Sequence, residues 1–271
     1  MKSPKQSVLD SKIIEKLGDL VPPGTALEMA KLLLRDSEIQ ALQDYANSVS
    51  IKRLSYNDHG PVHMRTVALN ALIMMGLLRD AGISTSLEKE DSGSFEDSLT
   101  ALLLAAILHD TGMSVGRQDH ELHSCYLAYP IMDRLLVRVF PTSMERRVTI
   151  RSLALEGISG HMGNRSINSL EAGVLLVADG CDMQKGRARI PMARSEAPKV
   201  GDIHKYSANS IEDVKIGKGG EKPIRIDISM SSEVGLFQIE EVLLQKIAAS
   251  TAKPYIELYA LVNQNEPKRY L

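Results

Sequence analysis

The stretch Leu99-Thr-Ala-Leu-Leu-Leu-Ala-Ala-Ile-Leu-His-Asp-Thr-Gly112 governs how this 271-residue chain is interpreted. Its first ten residues are apolar except for Thr100, which suits a buried helix and falls short of the roughly 18 residues that span a membrane. His109 and Asp110 follow at once. Because burying a histidine and a carboxylate is costly unless they are paired or bound to metal, this end indicates either a hydrogen-bonded His–Asp pair or a metal site.

On both sides of this stretch the first 200 residues predict helices. Apolar residues recur every three or four positions over 13–46 and again over 67–78, after a helix-start signal at Gly60-Pro61. The polar, acidic stretch 84–97 predicts a surface loop. Further apolar segments predict helices over 99–108, 122–140, 144–158 and 170–183.

The pattern changes near residue 200. Residues 224–230 alternate apolar and polar side chains as in a half-buried strand, and 211–216 with the following glycines predicts its hairpin partner. A helix over 236–247 and a strand over 255–262 complete a β-β-α-β pattern. We therefore expect a mainly α protein with a small C-terminal α/β subdomain. Three parts are predicted: N-terminal helices packing on the core over 1–50, the core over 51–200, and the tail over 201–271.

Composition narrows the function. The net charge is -2, aromatic residues make up 4% and Trp is absent, which argues against nucleic acid as a partner. Cys125 and Cys181 are too few for a disulfide framework, so we expect a reducing cytoplasm. The sequence shows no membrane span or secretory signal, so no membrane partner is expected.

Two further phrases accompany the His109-Asp110 pair. His63-x-x-Thr-Val opens one helix, and Val177-Ala-Asp179 ends another apolar helix. Together with Leu108-His-Asp-Thr-Gly112, these make residues 55–190 resemble the HD superfamily of metal-dependent phosphohydrolases. The resemblance implies an HD-type helical core in which His63, His109, Asp110 and Asp179 bind metal.

His120 and His161 occupy the extra positions seen in HD proteins that hold two metals. Those subgroups include the HD-GYP proteins, which cleave cyclic dinucleotides, and the enzymes that hydrolyse diadenosine tetraphosphate. The chain lacks Gly-Tyr-Pro, and Met162 stands where HD-GYP proteins carry a second histidine. It is thus more similar to the six-ligand diadenosine-tetraphosphate enzymes, although the C-terminal tail is not part of theirs.

The resemblance implies two divalent transition-metal ions as cofactors. Imidazoles and carboxylates together suit Mn, Fe, Zn, Co or Ni better than Mg. Asp110 would bridge the ions, with His63, His109 and Asp179 completing one and His120 and His161 holding the other. A water shared by two such ions becomes a hydroxide that attacks phosphorus, so Asp110 is a catalytic residue as well as a ligand.

Residues beside the ligands suggest further roles. His59 stands where the related cyclic-nucleotide phosphodiesterases carry a histidine that protonates the leaving oxygen, which would make it catalytic. Alternatively, Asp58 or Asn57 caps the helix and His59 is merely a neighbour. A basic cluster follows Asp179 and either binds substrate phosphate or is a solvated loop. Its residues closest to Asp179 are Lys185, Arg187 and Arg189.

The expected function is divalent-metal-dependent hydrolysis of a phosphoester, with a nucleotide or dinucleotide as the small phosphorylated substrate. The alternatives are a nucleotide-sensing regulator with a low-turnover site and an RNA-processing HD nuclease. The tail is expected to have no catalytic residue and either to assemble a homodimer or to cover the site. The alternative is that it packs wholly on its own core.

Overall fold

A computed structural model describes residues 2–54, 56–184, 203–262 and 267–271, with the backbone alone for 203–206. In these residues the protein is mainly helical with a small C-terminal sheet, which confirms the predicted fold class. The helices of the first part are α1 Pro4–Leu20, α2 Thr25–Arg35, α3 Ser37–Ser48, α4 Pro61–Asp80, α5 Ser86–Lys89, α6 Phe95–Leu108, α7 His120–Val139, α8 Met144–Gly160 and α9 Leu170–Gly180.

The surface loop predicted over 84–97 is wrong in part. Thr85 and Glu88 form a capping box that starts the short helix α5 inside this stretch. Ser94 caps α6 with Asp97 in the same way, so α6 begins at Phe95 rather than at Leu99. Short polar residues that bond the free N–H groups of a first turn stabilise a helix even where the sequence is acidic and polar.

Helices α4 and α6 form the centre of the core. Every residue of α6 except Glu96 is buried, which explains why its sequence is apolar on all sides. Helix α4 packs against α1, α6 and α9, and α6 packs against α2, α8 and α9 as well. The elements that carry the predicted ligands are therefore neighbours.

Helix α4 bears on the expectation that the chain has no membrane span. In the described part of the chain, α4 is a helix that is long enough and apolar enough to cross a membrane. The mean hydropathy of its most apolar 18 residues is 1.3. In the structure 67% of that window is buried inside the protein, so its apolar character reflects its place in the core. The cytoplasmic location stays a prediction.

The C-terminal subdomain begins with α10 Ile203–Ser210 and continues into β1 Ile211–Lys218 and β2 Ile224–Met230. A helical segment follows, made of α11 Leu236–Gln238, a π turn over Ile239–Leu243 and α12 Leu244–Ala249. Strands β3 Ile256–Val262 and β4 Lys268–Arg269 end the described chain.

In the described residues the sheet has the order β1-β2-β3-β4. Strands β1 and β2 are antiparallel, β2 and β3 are parallel, and β3 and β4 are antiparallel. The short β4 adds a strand to the predicted β-β-α-β pattern. It was not predicted, because two residues are too few for an alternating pattern to be visible. The alternating apolar residues of β2 are all buried, and β1 and β2 contact α4 of the core.

Candidate metal centre

Helix ends converge at one point beside α6. His63 lies in the first turn of α4, and His109 and His161 directly follow the last residues of α6 and α8. His120 is the first residue of α7, and Asp179 is the last but one of α9. Within the described part of the chain, six side chains meet there, each at most 8% exposed: His63, His109, Asp110, His120, His161 and Asp179.

One group of donors surrounds the Oδ2 atom of Asp110. His63 Nε2 lies 3.2 Å from this oxygen, 3.2 Å from Asp179 Oδ1 and 3.2 Å from His109 Nε2. His109 Nε2 lies 3.5 Å and 3.8 Å from the same two carboxylate oxygens. Two imidazoles and two carboxylates thus face a common point.

A second group surrounds the other oxygen of Asp110. His120 Nε2 lies 3.2 Å from Asp110 Oδ1, and His161 Nε2 lies 3.3 Å from it. The two Nε2 atoms are 3.1 Å apart. Asp110 is therefore shared between the two groups, one through each carboxylate oxygen.

The Nδ1 atoms of these histidines point away from the centre, each towards a hydrogen-bond acceptor. Because a carbonyl or carboxylate oxygen only accepts, Nδ1 carries a proton, and in the neutral ring Nε2 then holds a lone pair. Lone pairs about 3 Å apart repel each other unless a cation lies between them, so the donor set fits a metal ion. The four pairs are His63 to Asp182 Oδ2 at 2.6 Å, His109 to Ala106 O at 2.9 Å, His120 to Arg117 O at 2.9 Å and His161 to Ile158 O at 2.7 Å.

The pKa values of three of the six side chains, His161, Asp110 and Asp179, agree with metal binding. Burial lowers the pKa of His161 to about 4, so its imidazole is neutral at pH 7. Burial alone would raise the pKa of Asp110, but the surrounding histidines, His109 first, outweigh it and hold that pKa well below its usual range. Burial likewise opposes ionisation of Asp179, while Lys246 and His109 hold its pKa low. Neutral imidazoles and ionised carboxylates are the forms that ligate divalent metals.

Four further residues of the centre were missed by the sequence analysis. Asp182 accepts from His63 Nδ1, and its position three residues after Asp179 was a readable signal. The other three residues gave no such signal, because nothing in the neighbouring sequence distinguishes them from ordinary surface residues. They are Glu121, with Oε2 3.4 Å from His120 Nδ1; Arg117, with Nη1 3.4 Å from His120 Nε2; and Lys246, which bonds Asp179.

His59 lies beside the donor groups, with its ring 5.8 Å from that of His63. Its Nδ1 is 2.7 Å from the carbonyl oxygen of Asn57. Of the alternative interpretation, the helix cap by Asp58 or Asn57 is not seen: the N-cap of α4 is Gly60, which makes no side-chain cap bond, and Asp58 Oδ1 accepts from Gly60 N at 2.8 Å. The other part, that His59 is merely a neighbour of the site, stays open. The catalytic role of His59 stays a prediction. Lys185, Arg187 and Arg189 lie outside the described residues.

Comparison with known proteins identifies a relative of this chain. The uncharacterized protein MJ1020 of Methanocaldococcus jannaschii is 43% identical over 235 residues, which cover 87% of this chain and 88% of that protein. The chain belongs to the same family as this archaeal protein. No known family description matches the chain, and no solved structure matches it.

Proposed function

We propose that the protein is a metal-dependent phosphohydrolase of the HD type with a six-ligand binuclear centre. The observation that carries the proposal is the position of Asp110, whose two oxygens face separate groups of histidines. A bridging carboxylate with imidazoles on both sides suits two Mn, Fe, Zn, Co or Ni ions. Bound there, the ions would supply a hydroxide nucleophile and neutralise phosphate charge.

The chain's own residues prepare this chemistry. Asp182 and the backbone carbonyls fix the histidine rings with Nε2 inward, so little reorganisation is needed on binding. Asp110 and Asp179 offset the positive charge of the ions. The Nδ1–H group of His59 donates to the Asn57 carbonyl, which orients the ring. In the doubly protonated, imidazolium form, Nε2 would also carry a proton, and it is this proton that His59 would give to the leaving oxygen.

The proposed substrate is a small phosphoester, a nucleotide or a dinucleotide. Arg117 supports this, because its guanidinium lies 3.4 Å from His120 Nε2. Once a metal takes the lone pair of that nitrogen, the guanidinium would turn away from it and could bind a substrate phosphate. Lys185, Arg187 and Arg189 are proposed as further phosphate contacts. A homodimer is proposed on the exposed sheet edges alone and is tested by light scattering of the full chain.

Metal analysis joined to a substrate screen tests the proposal. The purified protein is expected to hold two ions per chain, Asp110→Ala none and His120→Ala about one. His123→Gln is the matched control, since His123 lies one turn after His120 on α7 and outside both donor groups. One ion per chain, unaffected by His120→Ala, would show that the centre is not binuclear.

Activity is measured with Mn²⁺ on nucleotides, dinucleotides, short RNA, p-nitrophenyl phosphate and its bis ester. Hydrolysis of a nucleotide or dinucleotide is expected, and it should be lost in Asp110→Ala and retained in His123→Gln. Nucleotide binding without turnover would instead identify a regulator. Preferred cleavage of RNA would identify a nuclease.

A further inference from the structure

Lys246 of the C-terminal subdomain reaches the metal centre. Its Nζ atom, on a side chain 13% exposed, bonds Asp179 Oδ2 and donates to the carbonyl oxygen of His161 at 2.9 Å. The other oxygen of Asp179, Oδ1, faces His63 and His109. The ammonium group therefore bonds Oδ2, the Asp179 oxygen that does not face the histidines. Because it also bonds the His161 carbonyl, it links the ends of α8 and α9.

The helix that carries Lys246 is seated closely on α9. Ser250 Oγ donates to the Gly173 carbonyl at 2.8 Å, and Thr251 Oγ1 donates to the Ser169 carbonyl at 2.7 Å. A Cβ atom on Gly173 would lie 2.1 Å from Thr251 Oγ1 and 2.9 Å from the backbone nitrogen of Ala252. Only glycine permits this approach. Residue 173 thus sets how closely the subdomain docks.

A second glycine lies beside the lysine itself. A Cβ atom on Gly180 would lie 3.2 Å from Lys246 Cδ and 3.0 Å from Leu243 Cδ1. The aliphatic stem of Lys246 therefore passes directly over the end of α9, next to Asp179. This packing restricts the stem and so helps to hold the ammonium group at Asp179 and at the His161 carbonyl.

We propose that the C-terminal subdomain is part of the metal centre, with Lys246 as a positioning residue. It fixes the Asp179 carboxylate with Oδ1 turned to the first donor group, and it holds the end of α8 that presents His161. The proposal rests on metal binding by the centre, as proposed above, and adds that docking on α9 sets the affinity. Residues that orient ligands in this way typically contribute about 10–100-fold to metal affinity.

The test measures Mn²⁺ affinity of the full-length protein by competition with a fluorescent chelator, together with the visible absorption of bound Co²⁺. Lys246→Met is expected to weaken binding by about 10–100-fold and to change the Co²⁺ spectrum, because Asp179 is no longer held. Lys215→Met is the matched control, since Lys215 lies on β1 of the same subdomain and is 79% exposed. Its affinity and spectrum should equal those of the wild type.

Docking is tested separately with a pair of glycine variants. Gly173→Ala should lower metal affinity in the same direction as Lys246→Met, while Gly18→Ala should not, because nothing lies within 4 Å of a Cβ atom there. Circular dichroism identifies any variant that fails to fold, in which case the Lys246→Met result decides. Folded Gly173→Ala with wild-type affinity would overturn the role of docking.

The two proposals fail in different ways. If the wild type binds metal and Lys246→Met binds it as tightly or more tightly with the same Co²⁺ spectrum, the positioning role is overturned and the metal centre stands. If the wild type itself binds no divalent metal, the proposed function is overturned. Weakened binding in Lys246→Met alone, with Lys215→Met unchanged, supports both.

Discussion

Replacement of Gly112 by alanine should damage one half of the centre and leave the other half in place. Gly112 follows the His109-Asp110 pair, and its backbone N–H donates to Ser124 Oγ at 2.8 Å. A Cβ atom at this position would lie 2.0 Å from the carbonyl oxygen of His120 and 2.5 Å from the nitrogen of Ser124. Both are backbone atoms of α7, so no side chain can turn aside to relieve the overlap.

The displacement follows from these distances. Real Cβ contacts are essentially never under 3.0 Å, so the start of α7 must move by about 1 Å. His120 Nε2 sits 3.2 Å from Asp110 Oδ1, whereas metal–ligand distances tolerate only about 0.2 Å. Overpacking of this kind costs about 1–3 kcal/mol, which exceeds the roughly 0.4–1 kcal/mol that alanine gains over glycine in the unfolded chain.

The assay combines urea denaturation with metal analysis. Gly112→Ala is expected to lose about 1–3 kcal/mol of unfolding free energy and to bind about one ion fewer than the wild type. Gly116→Ala is the control, because nothing lies within 4 Å of a Cβ atom at that position in the same loop. If Gly112→Ala matches Gly116→Ala in both stability and metal content, the steric argument is refuted.

Three other changes test neighbouring parts of the structure. Asp182→Asn should weaken Mn²⁺ binding by about 10–100-fold, because His63 loses the carboxylate that orients it; unchanged affinity in a chelator competition would contradict this. Asp10→Asn should cost about 1.5–3 kcal/mol in urea denaturation, because Arg65 is 2% exposed and bonds Asp10 at 2.6 Å. Burial opposes ionisation of Glu257, but three backbone N–H groups of the β1–β2 turn hold its pKa below the ordinary 4.5. Its contribution to stability is therefore present above about pH 4.5 and lost as the pH falls through the lower folded pKa, so Glu257→Gln should lose less stability than the wild type on acidification.

The helical core was predictable because its periodicity is strong and local. Apolar residues three and four apart predicted α1 to α4, and Gly60-Pro61 marked the first residue of α4. The short α5 was not predicted, because it depends on the capping bonds between Thr85 and Glu88 rather than on an apolar face. Strand β4 was not predicted because two residues are too few to show an alternating pattern.

The candidate site was predictable for residues that interrupt apolar helices. His109, Asp110 and Asp179 stand out because a buried ionisable group needs a partner, and the family resemblance added the other histidines. The position of Lys246 could not be predicted, since it lies 67 residues beyond Asp179 and its neighbours Leu243 and Ile247 indicate only an amphipathic helix. Its role depends on tertiary packing that one sequence does not display.

The topology of the sheet explains how a residue of the tail reaches the centre. A parallel pair such as β2 and β3 requires a crossover connection, and here residues 236–249 form it as a helical segment. That segment packs on α9, the helix that presents Asp179, and Lys246 lies on it at the level of the carboxylate. A tail of antiparallel hairpins alone would have joined its strands by short turns and sent no helix to α9. The mixed sheet is therefore what lets this subdomain contact the candidate metal centre. Assembly of the protein through the tail stays a prediction.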